Sequence, residues 1–284
     1  MQFKKKLFIG TAQFLSNYGI TNNIYTDKKY CLNLLEHAAK KGIMNYDTAV
    51  GYKSEKLIGE FLKTHKISRA KICTKFYGLQ KDYKSQTYSF LDKSLKKLNN
   101  PIYCIFFHNA QDIKFFIRDP EFFLDLTNQF PISKIGFSIY EKKDIKNVKF
   151  TKQISLQIPY NILNNEFNDL KLLKKYDNIF ARSLFLQGVL INKNINKNIN
   201  KKFCKMLQTY FMFLKKENIN PLDLNLNYIN QNTKLDYYIF GFETKKQLDE
   251  ILSVKKKILN KKIITTVKNI FKNDKNIDPR LWKS

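Results

Sequence analysis

Eight short runs rich in Ile, Phe, Tyr and Val recur along the chain, with longer amphipathic stretches between them. They cover residues 7–10, 43–47, 71–75, 103–108, 134–138, 154–157, 178–183 and 237–241. Apolar runs of this length are expected of strands buried on both faces, and parallel strands need helical crossovers between them. The intervening stretches supply helical periodicity. In 28–41, Leu32, Leu35, Ala38 and Ala39 share a face and Gly42 is placed to end the helix. Leu57, Ile58, Phe61 and Leu62 do the same in 54–62, as do Phe90, Leu91, Leu95 and Leu98 in 85–98. Segments 112–129, 164–175, 201–216 and 244–257 are further helix candidates. Eight strands with helices between them predict an α/β chain folded as one (β/α)8 TIM barrel, a fold of about 250 residues. The 284 residues accommodate it. Without a Pro-, Gly- or Ser-rich linker, residues 1–272 form a single domain and 273–284 a C-terminal tail. The low-complexity stretch INKNINKNINKK at 191–202 has little to bury and is expected to be a solvated loop or helix lead-in.

Charge narrows the function classes less than its size implies. Lys and Arg together number 51 against 24 Asp and Glu, a formal net charge of +27. A polyanion partner is the first reading of such an excess. Only Arg69, Arg118, Arg182 and Arg280 are arginines, however, and bidentate phosphate and base contacts favour Arg. The excess is a general lysine enrichment, and no specific nucleic-acid partner is expected. Cys31, Cys73, Cys104 and Cys204 are widely spaced and form no CxxC pair, as expected of reduced buried thiols. The N-terminal apolar run is too short for a signal-peptide core, and no stretch approaches the ~20 apolar residues of a membrane span. A cytoplasmic protein with no membrane association is the expectation.

Chemistry gathers at one end of the proposed strands. Asp47, Lys75, His108, Ser138, Gln157, Ser183 and Gly241 each close a strand run at its C-terminal end, where barrel enzymes place their active sites. Any one of them could be a simple cap. Seven on one rim are harder to explain that way. His37 and His65 fall on outer helices, so the three histidines give no metal cluster.

The segments LFIGTAQF (7–14), KGIMNYDTAVGYKSEKLIGEFL (41–62), KICTKF (71–76) and YCIFFHN (103–109) resemble, in order, four signatures of the aldo-keto reductase superfamily. Weaker landmarks follow in KIGFSIY (134–140), LQIPYN (156–161), RSLFLQGVL (182–190) and FGFETKKQL (240–248), so the resemblance spans roughly residues 7–258. TAQFLSNYGITN and RSLFLQG are similar to a bacterial branch often linked to surface-polysaccharide loci. The resemblance implies a nicotinamide-dependent oxidoreductase that interconverts a carbonyl (aldehyde, ketone or sugar carbonyl) and its alcohol by hydride transfer. Its alternative is a non-catalytic nicotinamide-binding regulatory protein, which intact catalytic residues argue against.

The resemblance also implies a catalytic tetrad of Asp47, Tyr52, Lys75 and His108. Tyr52 is the general acid, and a phenol of pKa ~10 needs a nearby cation to work near neutral pH. Lys75 is expected to supply that charge, Asp47 to hold Lys75, and His108 to orient the carbonyl oxygen. For the cofactor, Ser138 and Gln157 match the positions that hold the nicotinamide carboxamide, although Ile139 stands where many relatives have Asn. Arg182 stands where many place an aromatic ring against the nicotinamide. Ser183, Leu184 and Gly188 match the segment that wraps the pyrophosphate, and Gly241, Thr244, Lys245 and Gln247 the segment after the last strand. There Glu243 would favour NAD and the lysines NADP. Family habit favours NADP(H) over NAD(H), with no metal. Phe14, Tyr18, Phe76 and Tyr160 lie near the rim and are the candidates for an apolar wall around a small-molecule carbonyl substrate. Substrate, reaction direction and oligomeric state are not legible in the sequence.

Overall fold

In the computed structural model, which describes residues 2–16, 26–164, 166–192, 199–272 and 274–282, eight parallel strands close into a barrel in sequence order. The strands are β1 (Leu7–Gly10), β2 (Tyr46–Asp47), β3 (Ile72–Phe76), β4 (Cys104–Phe107), β5 (Ile135–Ser138), β6 (Ile154–Pro159), β7 (Ile179–Arg182) and β8 (Tyr237–Phe240). Each overlaps one of the runs read from the sequence. The register sets Asp47 beside Gly10 and Cys73, Lys75 beside Phe106, Ser138 beside Gln157, and Pro159 beside Arg182. Their polar side chains therefore emerge at one rim.

The barrel interior is filled. Phe8, Cys73, Cys104, Phe106, Phe180 and Ile239 form a buried cluster inside it, with the Phe180 ring 5.4 Å from that of Phe8 and 5.2 Å from that of Phe106. At the opposite rim Lys71 donates to the Tyr237 hydroxyl at 2.8 Å, with its ammonium 4.4 Å from the Tyr103 ring centroid. Gly136 makes this packing feasible, since a Cβ there would lie 2.5 Å from the Phe106 ring and 2.6 Å from the Ser155 carbonyl oxygen. A plugged interior leaves ligands only the open rim.

The helices expected from the sequence form with two exceptions that local chemistry explains. Helix Lys28–Lys40 is capped by Asp27, whose carboxylate accepts from the Tyr30 amide, and ends before Gly42, which takes φ 82°. The expected helix at 112–129 is broken into Ile113–Arg118 and Pro120–Gln129. Pro120 drives Asp119 out of helical geometry (φ −142°, ψ 67°), and Asp119 then caps the second helix by accepting from the Phe122 amide. Of the expected helix at 164–175 only Leu170–Leu173 forms. Around it, the side chains of Asn161, Asn164 and Asp169 accept from nearby backbone amides and hold the chain in turns instead. Helices Pro221–Asn230 and Lys261–Ile270 complete the structure. Residues 274–282 fold back as two short 3-10 turns, with the Trp282 ring 6.0 Å from that of Phe203. Residues 193–198 of the 191–202 stretch lie outside the described residues, and Lys201 begins helix Lys201–Lys216. The four cysteines are free thiols. Among the described residues no helix is long and apolar enough to cross a membrane.

Candidate active site

Tight backbone ties carry the chain from β2 to Tyr52. The Thr48 and Val50 amides donate to the Cys73 and Lys75 carbonyls at 2.8 and 2.9 Å, and the Tyr52 amide donates to the Ala49 carbonyl at 2.8 Å. Ser54 Oγ joins Thr11 Oγ1 (2.8 Å) and Thr48 Oγ1 (2.9 Å) in a buried hydroxyl cluster, fixing this turn to the end of β1. The result places Tyr52 over the rim, half-buried, beside His108 from the end of β4. Their rings meet edge to face with centroids 6.4 Å apart. Among the described residues, neither the Tyr52 hydroxyl nor a His108 ring nitrogen has a hydrogen-bond partner, so both are open to a ligand.

Beneath them runs a buried chain of polar side chains. Lys75 Nζ donates to Asp47 Oδ2 at 2.6 Å and to the Thr48 carbonyl at 2.8 Å. Asp47 Oδ1 accepts from Gln157 Nε2 at 2.7 Å, and Gln157 Oε1 accepts from Ser138 Oγ at 3.2 Å. Lys75, Asp47, Gln157 and Ser138 are all buried. Because a carboxylate only accepts, Gln157 must turn its amide nitrogen to Asp47, which leaves its oxygen for Ser138. The whole chain is thereby oriented from one ionised group.

Electrostatics assign the two exposed groups different roles. Burial pushes the Tyr52 phenol well above its ordinary range, the nearby Asp47 carboxylate adds to the rise, and Arg182 is the cation that opposes it. Lys75 was the cation expected from the sequence. Its ammonium lies 5.9 Å from the Tyr52 ring centroid with its charge matched by Asp47. His108 is pushed down to about 4, first by burial and then by the charges of Lys75 and Arg182. At neutral pH the site therefore presents a protonated phenol and an uncharged imidazole.

Arg182 is held by a stack that the sequence did not reveal. It donates to the Ile139 carbonyl at 3.2 Å and to Ser183 Oγ at 3.3 Å, and its guanidinium lies 4.1 Å from the Tyr140 ring centroid. Arg280, from the C-terminal segment, lies 4.0 Å from the centroid of that same ring and is itself gripped by both oxygens of Asp278. Two guanidiniums on one phenol ring thus tie the C-terminal segment to the rim.

A cleft of about 1470 Å³, measured out to bulk solvent, opens over these residues. All four members of the expected tetrad line it, as do Ser138, Gln157, Arg182, Ser183, Leu184, Gly188, Gly241 and Gln247. Ser183, Leu186 and Gln187 adopt left-handed backbone (φ 55°, 48° and 53°), a conformation that tends to collect at ligand sites. Other expected residues lie elsewhere. Thr244 caps helix Lys245–Ser253 and Lys245 points to solvent, so neither is on the wall. Phe14, Phe76 and Tyr160 are core residues away from the cleft: Phe76 stacks on Phe90 and Tyr160 on Tyr228. Tyr18 lies outside the described residues. Thr11, Gln13, Tyr140, Phe185, Glu250 and Pro279 line the cleft without having been singled out.

Over residues 6–272 the sequence matches the model of the aldo/keto reductase family. The chain belongs to that family. It is accordingly an NAD(P)-dependent oxidoreductase acting on small-molecule carbonyls, the activity that defines the family. The fold agrees with that of the glycerol dehydrogenase AKR11B4 from Gluconobacter oxydans, with a TM-score of 0.70 over 94% of this chain and 91% of that one at 15% identity. A search of curated proteins gives no significant sequence match. The residues present fit the family's nucleotide. The cleft is lined by the Tyr52–His108 pair, by the 183–188 loop with its left-handed residues, and by Glu243, Gln247 and Glu250 around the start of helix Lys245–Ser253. Among the described residues no cluster of His, Cys, Asp or Glu is arranged to hold a metal ion.

Proposed function

We propose that this reductase reduces an aldehyde, ketone or sugar carbonyl, or oxidises the corresponding alcohol, with Tyr52 as its general acid. The observation that carries the reading is the unpartnered Tyr52 hydroxyl facing the cleft beside a neutral His108, above the Lys75–Asp47 pair. The bound nicotinamide nucleotide supplies hydride to the carbonyl carbon. Ser138 and Arg182 would border its nicotinamide end, and the 183–188 loop, Gly241 and Gln247 would border the remainder. The Ile139 side chain is apolar and fully buried, so Ser138 and Gln157 are the polar side chains left on this side.

His108, uncharged, donates an N–H hydrogen bond that orients the carbonyl oxygen without competing as an acid. Tyr52 gives its phenolic proton to that oxygen as negative charge develops. Its raised pKa keeps the proton in place beforehand, and Arg182 stabilises the phenolate left behind. Lys75 and Asp47 cancel each other's charge and hold the floor rigid. In the oxidative direction the phenolate takes the alcohol proton. The expected outcome is that wild type oxidises NADH or NADPH with at least one member of a panel of aldehydes, ketones and keto-sugars. Tyr52→Phe should lose about 10²–10⁴ in rate while still binding nucleotide. Nucleotide binding with no turnover of any carbonyl would refute the catalytic reading.

A further inference from the structure

The two ends of the cleft carry opposite charge. Among the described residues its cationic side chains, Lys75 and Arg182, stand at the catalytic end with His108 and the Asp47 carboxylate. With the nicotinamide over Tyr52, the adenosine half of a dinucleotide reaches the other end, lined by Glu243, Gln247, Glu250 and Ile251. In a chain with 51 Lys and Arg, that end has two carboxylates and, among the described residues, no cation on its wall. Lys245 and Lys246 are exposed and off the wall, and Lys246 turns along its own helix to Glu250 at 3.9 Å.

Glu243 is the more telling of the two acids. Its amide donates to Gln247 Oε1 at 2.6 Å and its carbonyl accepts from the Tyr30 hydroxyl at 2.9 Å, so the backbone is fixed on both sides. The carboxylate itself has no hydrogen bond or ion pair among the described residues, although the residue is half-buried. That burial raises its pKa with nothing nearby to offset it. A half-buried carboxylate without donors is satisfied by a ligand that brings hydroxyl groups. At the adjacent helix start Gln247 N donates to Thr244 Oγ1 at 3.1 Å, and Gln247 Oε1 accepts from the Glu243 and Thr244 amides.

We infer that the reductase selects NAD(H) over NADP(H), and that Glu243 is the discriminating residue, accepting from the adenosine ribose hydroxyls and repelling a 2′-phosphate. This reverses the preference expected from family habit, and it rests on the nucleotide-dependent reading above. A 2′-phosphate monoester carries between one and two negative charges at pH 7 and would sit against the Glu243 carboxylate, which has no counter-cation among the described residues. Like charges set together in a binding site cost several kcal/mol, which corresponds to a selectivity of at least ~30-fold.

The test is binding, which needs no carbonyl. Fluorescence titration of the wild-type protein with NADH and NADPH should give a dissociation constant for NADPH at least ~30-fold the weaker. Competition by ADP-ribose and its 2′-phosphorylated form should show the same order, confining the difference to the adenosine half. Glu243→Gln keeps the shape and removes the charge, and should narrow the gap at least ~5-fold, mainly by tightening NADPH. Unchanged thermal unfolding checks its fold, and Glu250→Gln, more exposed and facing Lys246, should change the ratio less. Equal or tighter binding of NADPH by wild type overturns the selectivity alone. A gap that persists undiminished in Glu243→Gln overturns the role of Glu243. Binding of neither nucleotide overturns this inference together with the nucleotide-dependent reading.

Discussion

Substituting Asp47 by Asn tests the buried floor of the site. The native carboxylate accepts two bonds, from Lys75 at 2.6 Å and from Gln157 at 2.7 Å. Asn offers one oxygen and one NH2, so either the ammonium or the Gln157 amide must face another donor. The Lys75 and Asp47 side chains are only 4% and 9% exposed, so water screens neither. Breaking one side of a buried ion pair costs about 3–5 kcal/mol because the remaining charge is stranded. We expect Asp47→Asn to lose that much stability in urea unfolding at pH 7. Lys75→Met should be similarly damaging on its own. The double variant should be less destabilised than the two losses added together, by about 1–3 kcal/mol, because the second change removes the stranded charge. A single Asp47→Asn variant within 1 kcal/mol of wild type would refute the argument that the pair fixes the floor.

Three further outcomes follow from separate features. With its pKa held at about 4, His108 stays neutral in the folded protein while an unfolded chain takes up a proton near 6.5. Wild-type stability should therefore fall relative to His108→Asn as pH drops from 6.5 to 4, by at most about 3 kcal/mol and less where solvent screens the ring; parallel pH-dependent unfolding curves would show the idea to be mistaken. Arg280→Ala removes one face of the Tyr140 stack and should speed hydrogen exchange in 274–282 while costing under about 1 kcal/mol globally. Gly136→Ala places a methyl 2.5 Å from the Phe106 ring and should destabilise by about 2–3 kcal/mol in thermal unfolding.

The strands were legible because a strand buried on both faces leaves an unbroken apolar run, and all eight runs overlap one. Their ends were less so: 43–47 contributes only Tyr46–Asp47 to the sheet. Helices Pro221–Asn230 and Lys261–Ile270 were missed although each follows a capping Asn, a signal readable beforehand at Asn220-Pro221. Asp47, Lys75 and His108 were legible as residues closing strand runs at one rim, whereas Tyr52 was legible only through the resemblance of its segment to a family signature. The apolar wall was not, because an aromatic beside a strand end points either to the cleft or to the helices, and Phe14, Phe76 and Tyr160 turn to the core. Tyr140, Arg280 and Pro279 act through a chain reversal of the last residues that no local pattern encodes. The orientation of the lysines after β8 was not legible for a related reason. Composition shows that they are present, and only the helix phase shows that they face away.

The central claim concerns the proton on Tyr52. Single-turnover oxidation of bound NADH by a carbonyl that wild type accepts, followed from pH 6 to 9 in wild type and Tyr52→Phe, addresses it most directly. The account predicts a wild-type rate with no loss of the phenolic proton across that range, and a Tyr52→Phe rate lower by about 10²–10⁴ at every pH with nucleotide affinity unchanged. A Tyr52→Phe enzyme that transfers hydride within tenfold of wild type would contradict it.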